Sequence, residues 1–502
     1  MKSINIFTLF LLCLSCISHA DKLIKDLRIS PYPMGVLAID GHYVVPKDAE
    51  PKIIFSKVIK FSIPSESPER YMLEVRPRGI EIFADTEVGK FRALTTLNQL
   101  LKKYPDKMPS VVIVDYPRFD WRGFMLDESR FFSGKKAVLQ ILDSMAEHKM
   151  NRFHWHLTDT PGWRIEIKKY PKLTTIGAIG NHHDKKAPAQ FYTQQEIKEI
   201  VQYAKDRHIT IIPEIDMPGH AAAAMRAYPE FSGGGSKKHP NFTFNPASKE
   251  TEQFLVDILT EVAALFPDSP VIHFGGDESH FGWSQWPELP EVKQLMKEQG
   301  YTKLQQVDRH FNRKMATHIN KLGFKTGGWD EISSAGLPID KTLLFWWRHD
   351  KTKELSYGLK KGFPVVLCPR IPCYFDFVQH PSHKVGRRWG GKFCPIEATY
   401  NFPAEVKEIK GYEAQIKGIQ ACLWTEQTPT QERRDFMTYP RLQALAEAAW
   451  TQPEQKDFKR FSNYLKPYLI ELDKAKVTHA SLENPYLEVI KDGSQINRQP
   501  KK

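Results

Sequence analysis

The chain has 502 residues, 41% hydrophobic and 12% aromatic, and carries a formal charge of +12. That much apolar material supports a sizeable core and more than one domain. The basic charge lies in scattered pairs such as Lys185-Lys186 and Lys237-Lys238; with no nucleic-acid motif beside them they read as a solvated surface, and no internal stretch is apolar enough to span a membrane.

In chain order, residues 1–20 read as a secretory signal. Lys2 supplies the positive start, residues 6–14 an apolar core, and Ser18-His19-Ala20 a small-x-small cleavage site. The mature chain is therefore expected to be exported, periplasmic or secreted; a lipid anchor at Cys16 is the weaker reading. Cys13 and Cys16 leave with the signal. Cys368, Cys373, Cys394 and Cys422 remain, with a pairing that spacing does not fix. Residues 21–115 read as a small α/β domain, with strands at 53–55, 71–75 and 80–83 and a helix at 89–102. Asp115-Tyr116-Pro117 reads as a linker.

From Trp121 the pattern alternates strand and helix. Strands are expected at 122–127, 152–158, 209–215, 271–274, 325–329, 343–347, 365–368 and 419–424. Helices are expected at 136–148, 194–206, 250–266, 304–322 and 439–450, the second opened by the capping box Thr193-x-x-Glu196. Eight such units predict an α/β fold, a (β/α)8 TIM barrel over residues 116–455. Residues 456–502 form a C-terminal helical segment and tail, with 461–472 expected to pack on the barrel and a disordered tail from Asp492. The run Gly233-Gly234-Gly235 lacks phosphate-loop spacing and reads as a hinge or lid tip.

Nearly every predicted strand ends in a side chain fit for chemistry or for sugar contact. In order these are Asp127 and Arg130, Asp159, Asp216 and His220, Asp277 and Glu278, Trp329 and Asp330, Trp347, Tyr374 and Asp376, and Trp424 and Glu426. Barrel strand ends converge on one face, where active sites lie. The run His273-Phe274-Gly275-Gly276-Asp277-Glu278 is the most informative. Two glycines at a strand end let the backbone turn, so that adjacent carboxylates face one pocket. Two close carboxylates do not both ionise easily, which suits an acid working beside a charged partner. Taken alone, such a run is more often a helix start decorated with acids. Trp155 and Trp450 read as core, His154 and His273 as satisfied buried groups, Asp127 as a brace for Arg130, and Asp330 and Glu331 as caps.

These residues resemble glycoside hydrolase family 20, the exo-acting β-N-acetylhexosaminidases. The matching motifs begin with Trp121-Arg122-Gly123-Phe124-Met125-Leu126-Asp127 with Ser129-Arg130, and His154-Trp155-His156-Leu157-Thr158-Asp159. They continue with Glu214-Ile215-Asp216-Met217-Pro218-Gly219-His220, then residues 273–278. Gly328-Trp329-Asp330-Glu331, Tyr374-Phe375-Asp376 and Leu423-Trp424-Thr425-Glu426 complete the set. Thr160 stands where many relatives carry a second acid, and Phe345-Trp346-Trp347 leaves a choice of tryptophan, of which Trp347 stands nearer the strand end. The resemblance implies release of terminal N-acetylglucosamine or N-acetylgalactosamine through an oxazolinium intermediate. It implies catalytic roles for Asp277 and Glu278. Arg130, Trp329, Trp347, Tyr374, Asp376, Trp424 and Glu426 would hold the sugar, and Asp159 and His220 would orient Glu278. It implies a glycan as substrate and needs no metal or other cofactor.

Two other readings compete. His154-x-His156 with His220 and Asp277 also suits a zinc-dependent TIM-barrel hydrolase. Several pocket tryptophans and a forked Arg130 have no place in such a site. An inactive glycan-binding barrel would be expected to have lost the Asp277–Glu278 pair. Linkage, aglycone, sulfation of the substrate and oligomeric state are left open by the sequence.

Overall fold

The computed structural model describes residues 27–57, 63 and 65–488. The signal-like segment 1–20, with Cys13 and Cys16, and the tail from Asp492 lie outside the described residues. The chain divides into two compact units. One gathers the residues up to Asp120 with Met145–Lys149 and Ala446–Val477; the other holds Trp121–Ser144, Met150–Leu445 and the residues from Thr478.

The first unit is a five-stranded sheet with strands β1 (Gly35–Val44), β2 (Ile53–Ser56), β3 (Tyr71–Arg76), β4 (Gly79–Phe83) and β5 (Lys107–Asp115) in the order β1-β5-β3-β4-β2. Alternate residues of the central strands, such as Leu73, Val75, Val111 and Ile113, share one core with Ala93, Leu97 and Leu100 of the helix Glu87–Lys103. Thr86 caps that helix by accepting from Gly89 N.

Two expectations change here. Asp115, read as the start of a linker, is fully buried. Its carboxylate accepts from Tyr71 Oη (2.7 Å), Lys149 Nζ (2.8 Å) and Trp450 Nε1 (2.9 Å). Composition shows a turn-like triplet; only folding reveals three donors arriving from distant sequence. The helix Phe458–Lys474, expected on the barrel, groups with the first unit instead. Its apolar face carries Phe461, Tyr464, Leu465, Tyr468 and Leu469, and Tyr464 Oη lies 3.0 Å from His148 Nε2. Periodicity defines that face but not what covers it.

The second unit is a closed barrel of eight parallel strands. In chain order the strands are β6 (Trp121–Asp127), β7 (Arg152–His156), β8 (Thr210–Met217), a short hairpin β9 (Ser232–Gly234) and β10 (Thr243–Phe244) outside the barrel, then β11 (Val271–Gly275), β12 (Lys325–Trp329), β13 (Thr342–Trp346), β14 (Val365–Leu367) and β15 (Ile416–Leu423). All eight predicted barrel strands are present. Thr193 and Glu196 form the predicted capping box of the helix Gln194–Lys205. The β12–β13 connection carries only 3-10 turns, the first being Asp330–Ser334.

The triple glycine is not a free lid tip. It sits in the β9–β10 hairpin against the segment Ser279–Glu288, where Gly235 N donates to Gln285 Oε1 (2.7 Å) and Trp286 Nε1 to Thr243 Oγ1 (2.9 Å). A methyl on Gly235 would lie 2.8 Å from Asn241 N, and one on Gly233 would lie 2.7 Å from the Phe244 carbonyl carbon. The glycines are there for close approach of backbones. The four remaining cysteines are buried free thiols, so the disulfides considered from sequence are not formed.

Asp115→Ala should strand the buried Lys149 ammonium without its carboxylate. The expected loss is about 3–5 kcal/mol of stability, read from urea unfolding. A loss under about 1 kcal/mol would show that the cluster is not a keystone of its unit.

Candidate active site

A cavity of about 210 Å³ opens at the C-terminal ends of the barrel strands. It is lined by Arg130, Asp159, His220, Asp277, Glu278, Trp347, Tyr374, Arg387, Trp389, Trp424 and Glu426. At that size it suits one small ligand rather than a long stretch of chain.

The Asp277–Glu278 turn is built by close packing. Gly275 (φ +71) and Gly276 (φ +87) are both left-handed. A methyl on Gly275 would collide with the Asp216 carboxylate, and one on Gly276 would lie 2.5 Å from Ile332 Cγ2. The β8–β11 register slips at this point, between His273 and Gly275. Glu278 follows at φ +49 and His220 stands at φ +54. Such backbone in non-glycine residues costs about 1–3 kcal/mol each and persists where the surroundings fix it. The outcome is two neighbouring acids in different environments. Asp277 is nearly buried, whereas the Glu278 side chain is 33% exposed.

Charge alternates along one wall. Asp159 Oδ2 takes Arg130 Nη2 (2.8 Å), and Oδ1 faces His220 Nδ1 at 3.0 Å. His220 Nε2 then stands 3.6 Å from Asp277 Oδ2 and 3.7 Å from Glu278 Oε2. Burial would push Asp159 up, but Arg130 and His220 outweigh it and hold its carboxyl well below the usual range. Burial would discharge His220, yet Asp159, Asp216 and Asp277 keep it charged, well above the ordinary imidazole value. Burial raises Asp277 to about 6, reinforced by Glu278 and opposed by His220. Burial, then Asp277, pushes Asp216 well up from the usual carboxylate range.

The opposite wall is aromatic. Trp347 stacks on Tyr374 with ring centres 6.3 Å apart and planes 8° from parallel, and Trp424 stands 6.0 Å from Tyr374. Trp347 Nε1 is held by Glu331 Oε2 (3.0 Å). Burial keeps the Tyr374 hydroxyl protonated, far above the usual phenol value, so it is a donor. The Arg130 guanidinium carbon lies 5.0 Å from the centre of the Trp424 ring, and Arg387 pairs with Glu426. Burial opposes the ionisation of Glu426, but Arg387 and Arg130 overcome it and hold the acid down at about 2.

Nine of the eleven residues to which the family resemblance gives a role therefore line one cavity. Trp329 and Asp376, expected to touch ligand, are not among the residues that line it. Trp329 lies beneath the floor, its Nε1 donating to Glu214 Oε1 (3.0 Å). Asp376 is fully buried behind Arg387, with which it pairs, and burial raises it to about 7. Sequence reasoning missed Arg387 and Trp389, which stand on a loop after β14. Trp389 is 46% exposed and lies beneath the Arg387 guanidinium. The Arg387-Arg388-Trp389 cluster is the only signal there, and it stands far from any strand end. Glu214 and Glu331 were also missed. Glu214 stands in a quoted motif at the inward period of β8.

Of the histidines proposed as zinc ligands, His220 stands beside Asp277 and Asp216, whereas His154 and His156 face other carboxylates. His156 directs Nδ1 at Glu214 (2.7 Å) and Nε2 at Asp159 (3.1 Å), so both its nitrogens already face carboxylates. His154 Nδ1 accepts from Gln420 Nε2 (3.0 Å), and its Nε2 lies 3.0 Å from Glu214. His220 turns toward Asp159. The set expected to bind zinc is thus divided between the relay and the barrel floor.

A profile described as glycosyl hydrolase family 20, catalytic domain, matches residues 119–453, and one described as domain 2 of the same family matches residues 36–116. A beta-hexosaminidase of Vibrio furnissii is 38% identical over 75% of this chain and 64% of its own length. One of Porphyromonas gingivalis is 36% identical over 81% of this chain and 54% of its own. The chain thus spans just over half to under two thirds of the length of these two relatives. Among solved structures, a GH20 exo-β-N-acetylglucosaminidase from Vibrio harveyi in complex with N-acetylglucosamine aligns with a TM-score of 0.80 at 32% identity. That alignment covers 91% of this chain and 78% of the other. A β-N-acetylhexosaminidase from Bacteroides fragilis gives 0.78 at 27% identity over 93% and 99%.

Gly275→Ala and Gly323→Ala separate backbone strain from collision. Both place a methyl on left-handed backbone, but the methyl at 323 meets nothing within 4 Å. Gly323→Ala should lose about 1–2 kcal/mol. Gly275→Ala, which also displaces Asp216, should lose about 2–5 kcal/mol. Equal urea midpoints would show that Asp216 is not tightly placed.

Proposed function

This chain belongs to glycosyl hydrolase family 20, and on that footing we propose that it is an exo-acting β-N-acetylhexosaminidase. It would release terminal N-acetylglucosamine or N-acetylgalactosamine from glycans with retention of configuration. The observation that carries the reading is the unequal pair at the end of β11: Asp277 nearly buried beside His220, and Glu278 open to solvent, across the cavity from a protonated Tyr374. The small cavity supports the exo mode. The beta-hexosaminidase names of the similar proteins support the substrate class.

In this reading the nucleophile belongs to the substrate, as the family departs from the usual two-carboxylate scheme. The 2-acetamido oxygen attacks C1 as the bond from C1 to the leaving oxygen breaks. Glu278 gives its proton to that oxygen. Asp277 accepts from the acetamido N–H and balances the charge of the oxazolinium ion, while the Tyr374 hydroxyl donates to the acetamido oxygen. Glu278, now a base, takes a proton from the water that attacks C1; the bond from C1 to the acetamido oxygen breaks, and the free sugar is released with its acetamide restored. Trp347, Trp424 and, from beneath, Trp329 wall the acetamido methyl and the apolar ring face. Arg130, with its planar fork, and Glu426 hold ring hydroxyls; Asp376 acts through Arg387. Asp159 and His220 orient Glu278. From the signal-like character of residues 1–20 we infer an exported protein, periplasmic or secreted.

A panel of aryl β-glycosides tests the activity. N-Acetylglucosaminide and N-acetylgalactosaminide should be turned over, and the plain glucoside, which lacks the internal nucleophile, should be nearly inert. Comparable turnover of glucoside and N-acetylglucosaminide would overturn the mechanism.

The pH profile tests Asp277. The group must be ionised to balance the oxazolinium ion, and burial places its titration at about 6. Then kcat/KM should fall as pH drops through that value, because the protonated acid carries no charge. Asp277→Asn should turn over slowly at every pH and lose this acid limb. An acid limb retained near 6 in the variant would assign it to another group.

A further inference from the structure

The relay that reaches Glu278 does not begin at Asp159. Beneath the cavity, Glu214 Oε2 accepts from His156 Nδ1 at 2.7 Å, and His156 Nε2 faces Asp159 Oδ2 at 3.1 Å. Asp159 presents its other oxygen to His220 Nδ1 at 3.0 Å, and His220 Nε2 closes the run toward Asp277 and Glu278. Each carboxylate uses one oxygen for the histidine before it or the histidine after it. Each of these two imidazoles has a carboxylate at both nitrogens. A ring so placed is satisfied only as an imidazolium, because each nitrogen must then donate.

We propose that His156, clamped by Glu214, is a positioning residue that works as a fixed buried cation. It anchors and neutralises Asp159, and so sets the ionisation of Asp277 and the orientation of His220 toward Glu278. This rests on the proposed hydrolase reading of the cavity.

The surroundings agree. The carboxyl groups of Glu214, Asp159 and Asp127 face His156, with Asp216 close by. Arg130 Nη1, at 3.5 Å, and the neutral His154 are its neighbours of basic type. The edge-on Trp424 ring, 4.9 Å away, closes off water. Burial opposes the charge on His156, but these carboxylates overcome it and raise the ring well above the ordinary imidazole value. Asp159, in turn, is among the groups that raise Asp277. With the His156 charge gone, Asp159 acts on Asp277 with less compensation.

His156→Gln keeps a hydrogen-bond donor and removes the charge. The acid limb of kcat/KM on an aryl N-acetylglucosaminide should move to higher pH by about half a unit. kcat should fall about tenfold, with KM changed less than about threefold, because the residue touches no substrate. An acid limb superimposable on that of the parent, whatever the loss of kcat, would reduce His156 to packing and overturn the proposal. Nitrogen NMR of the ¹⁵N-histidine-labelled parent reads the same claim without a variant. The His156 ring should carry protons on both nitrogens at pH 7.5, and a neutral ring there overturns the proposal even if the variant does not fold. Failure of the parent to cleave any aryl N-acetylhexosaminide would instead sink the hydrolase reading, and leaves the NMR outcome to stand by itself.

Discussion

One carboxylate ties the floor of the barrel together. Glu214, fully buried on β8, accepts from His156 Nδ1 on β7 and from Trp329 Nε1 on β12. Ring nitrogens of His154 on β7 and His273 on β11 each lie 3.0 Å from its oxygens. Burying an ion this deeply costs several kcal/mol unless its lone pairs are met by good partners. Burial works against the charge, but His156 above all, with the other ring nitrogens at its oxygens, outweighs it and holds Glu214 well below the usual carboxylate range. Four neighbouring strands therefore meet at one charge, and the residues above it inherit their positions. Trp329 becomes the bed on which Trp424 rests, with ring centres 5.9 Å apart.

From that floor the chemistry is arranged upward as alternating charge. Cations held by two carboxylates, and carboxylates held by two cations, keep their states across a wide pH range. The groups without such pairing are shifted the other way: burial raises both Asp277 and Asp216 beside it. The backbone takes part too. Left-handed Gly275 and Gly276 let β11 pass against Asp216 and Ile332, and the turn they permit presents Glu278 to solvent while Asp277 stays inside. The aromatic wall is fixed in the same way. Glu331, beyond the end of β12, holds the Trp347 indole flat against Tyr374.

The eight barrel strands were legible because each joins an apolar run to a polar end, a pattern that survives without tertiary information. The same rule found Arg130, Asp159, His220, Asp277, Glu278, Trp347, Tyr374, Trp424 and Glu426. It favoured Trp347 over Trp346 as the residue nearer the strand end; in the structure β13 stops at Trp346, and Trp347 stands at the rim. It failed for Asp376, which also follows a strand end but is covered by Arg387 from a loop. It had no purchase on Trp389, whose loop belongs to no periodic element. Glycine composition misled in the other direction. Gly233-Gly234-Gly235 has the look of a mobile tip, but there the missing side chains admit Gln285 and the Phe244 backbone.

The sequence by itself determined the barrel, its order of strands and the membership of most of the cavity, because period and strand-end chemistry are local properties. It also determined the family, since the motifs lie in order along the chain. Tertiary structure alone decided which of those groups line the cavity and which lie beneath it. Whether an acid is charged, neutral or paired depends on burial and on partners far away in sequence. Asp115, met by Tyr71, Lys149 and Trp450, and Glu214, met from three other strands, show the reason: a carboxylate's neighbours are fixed only when the chain closes around it.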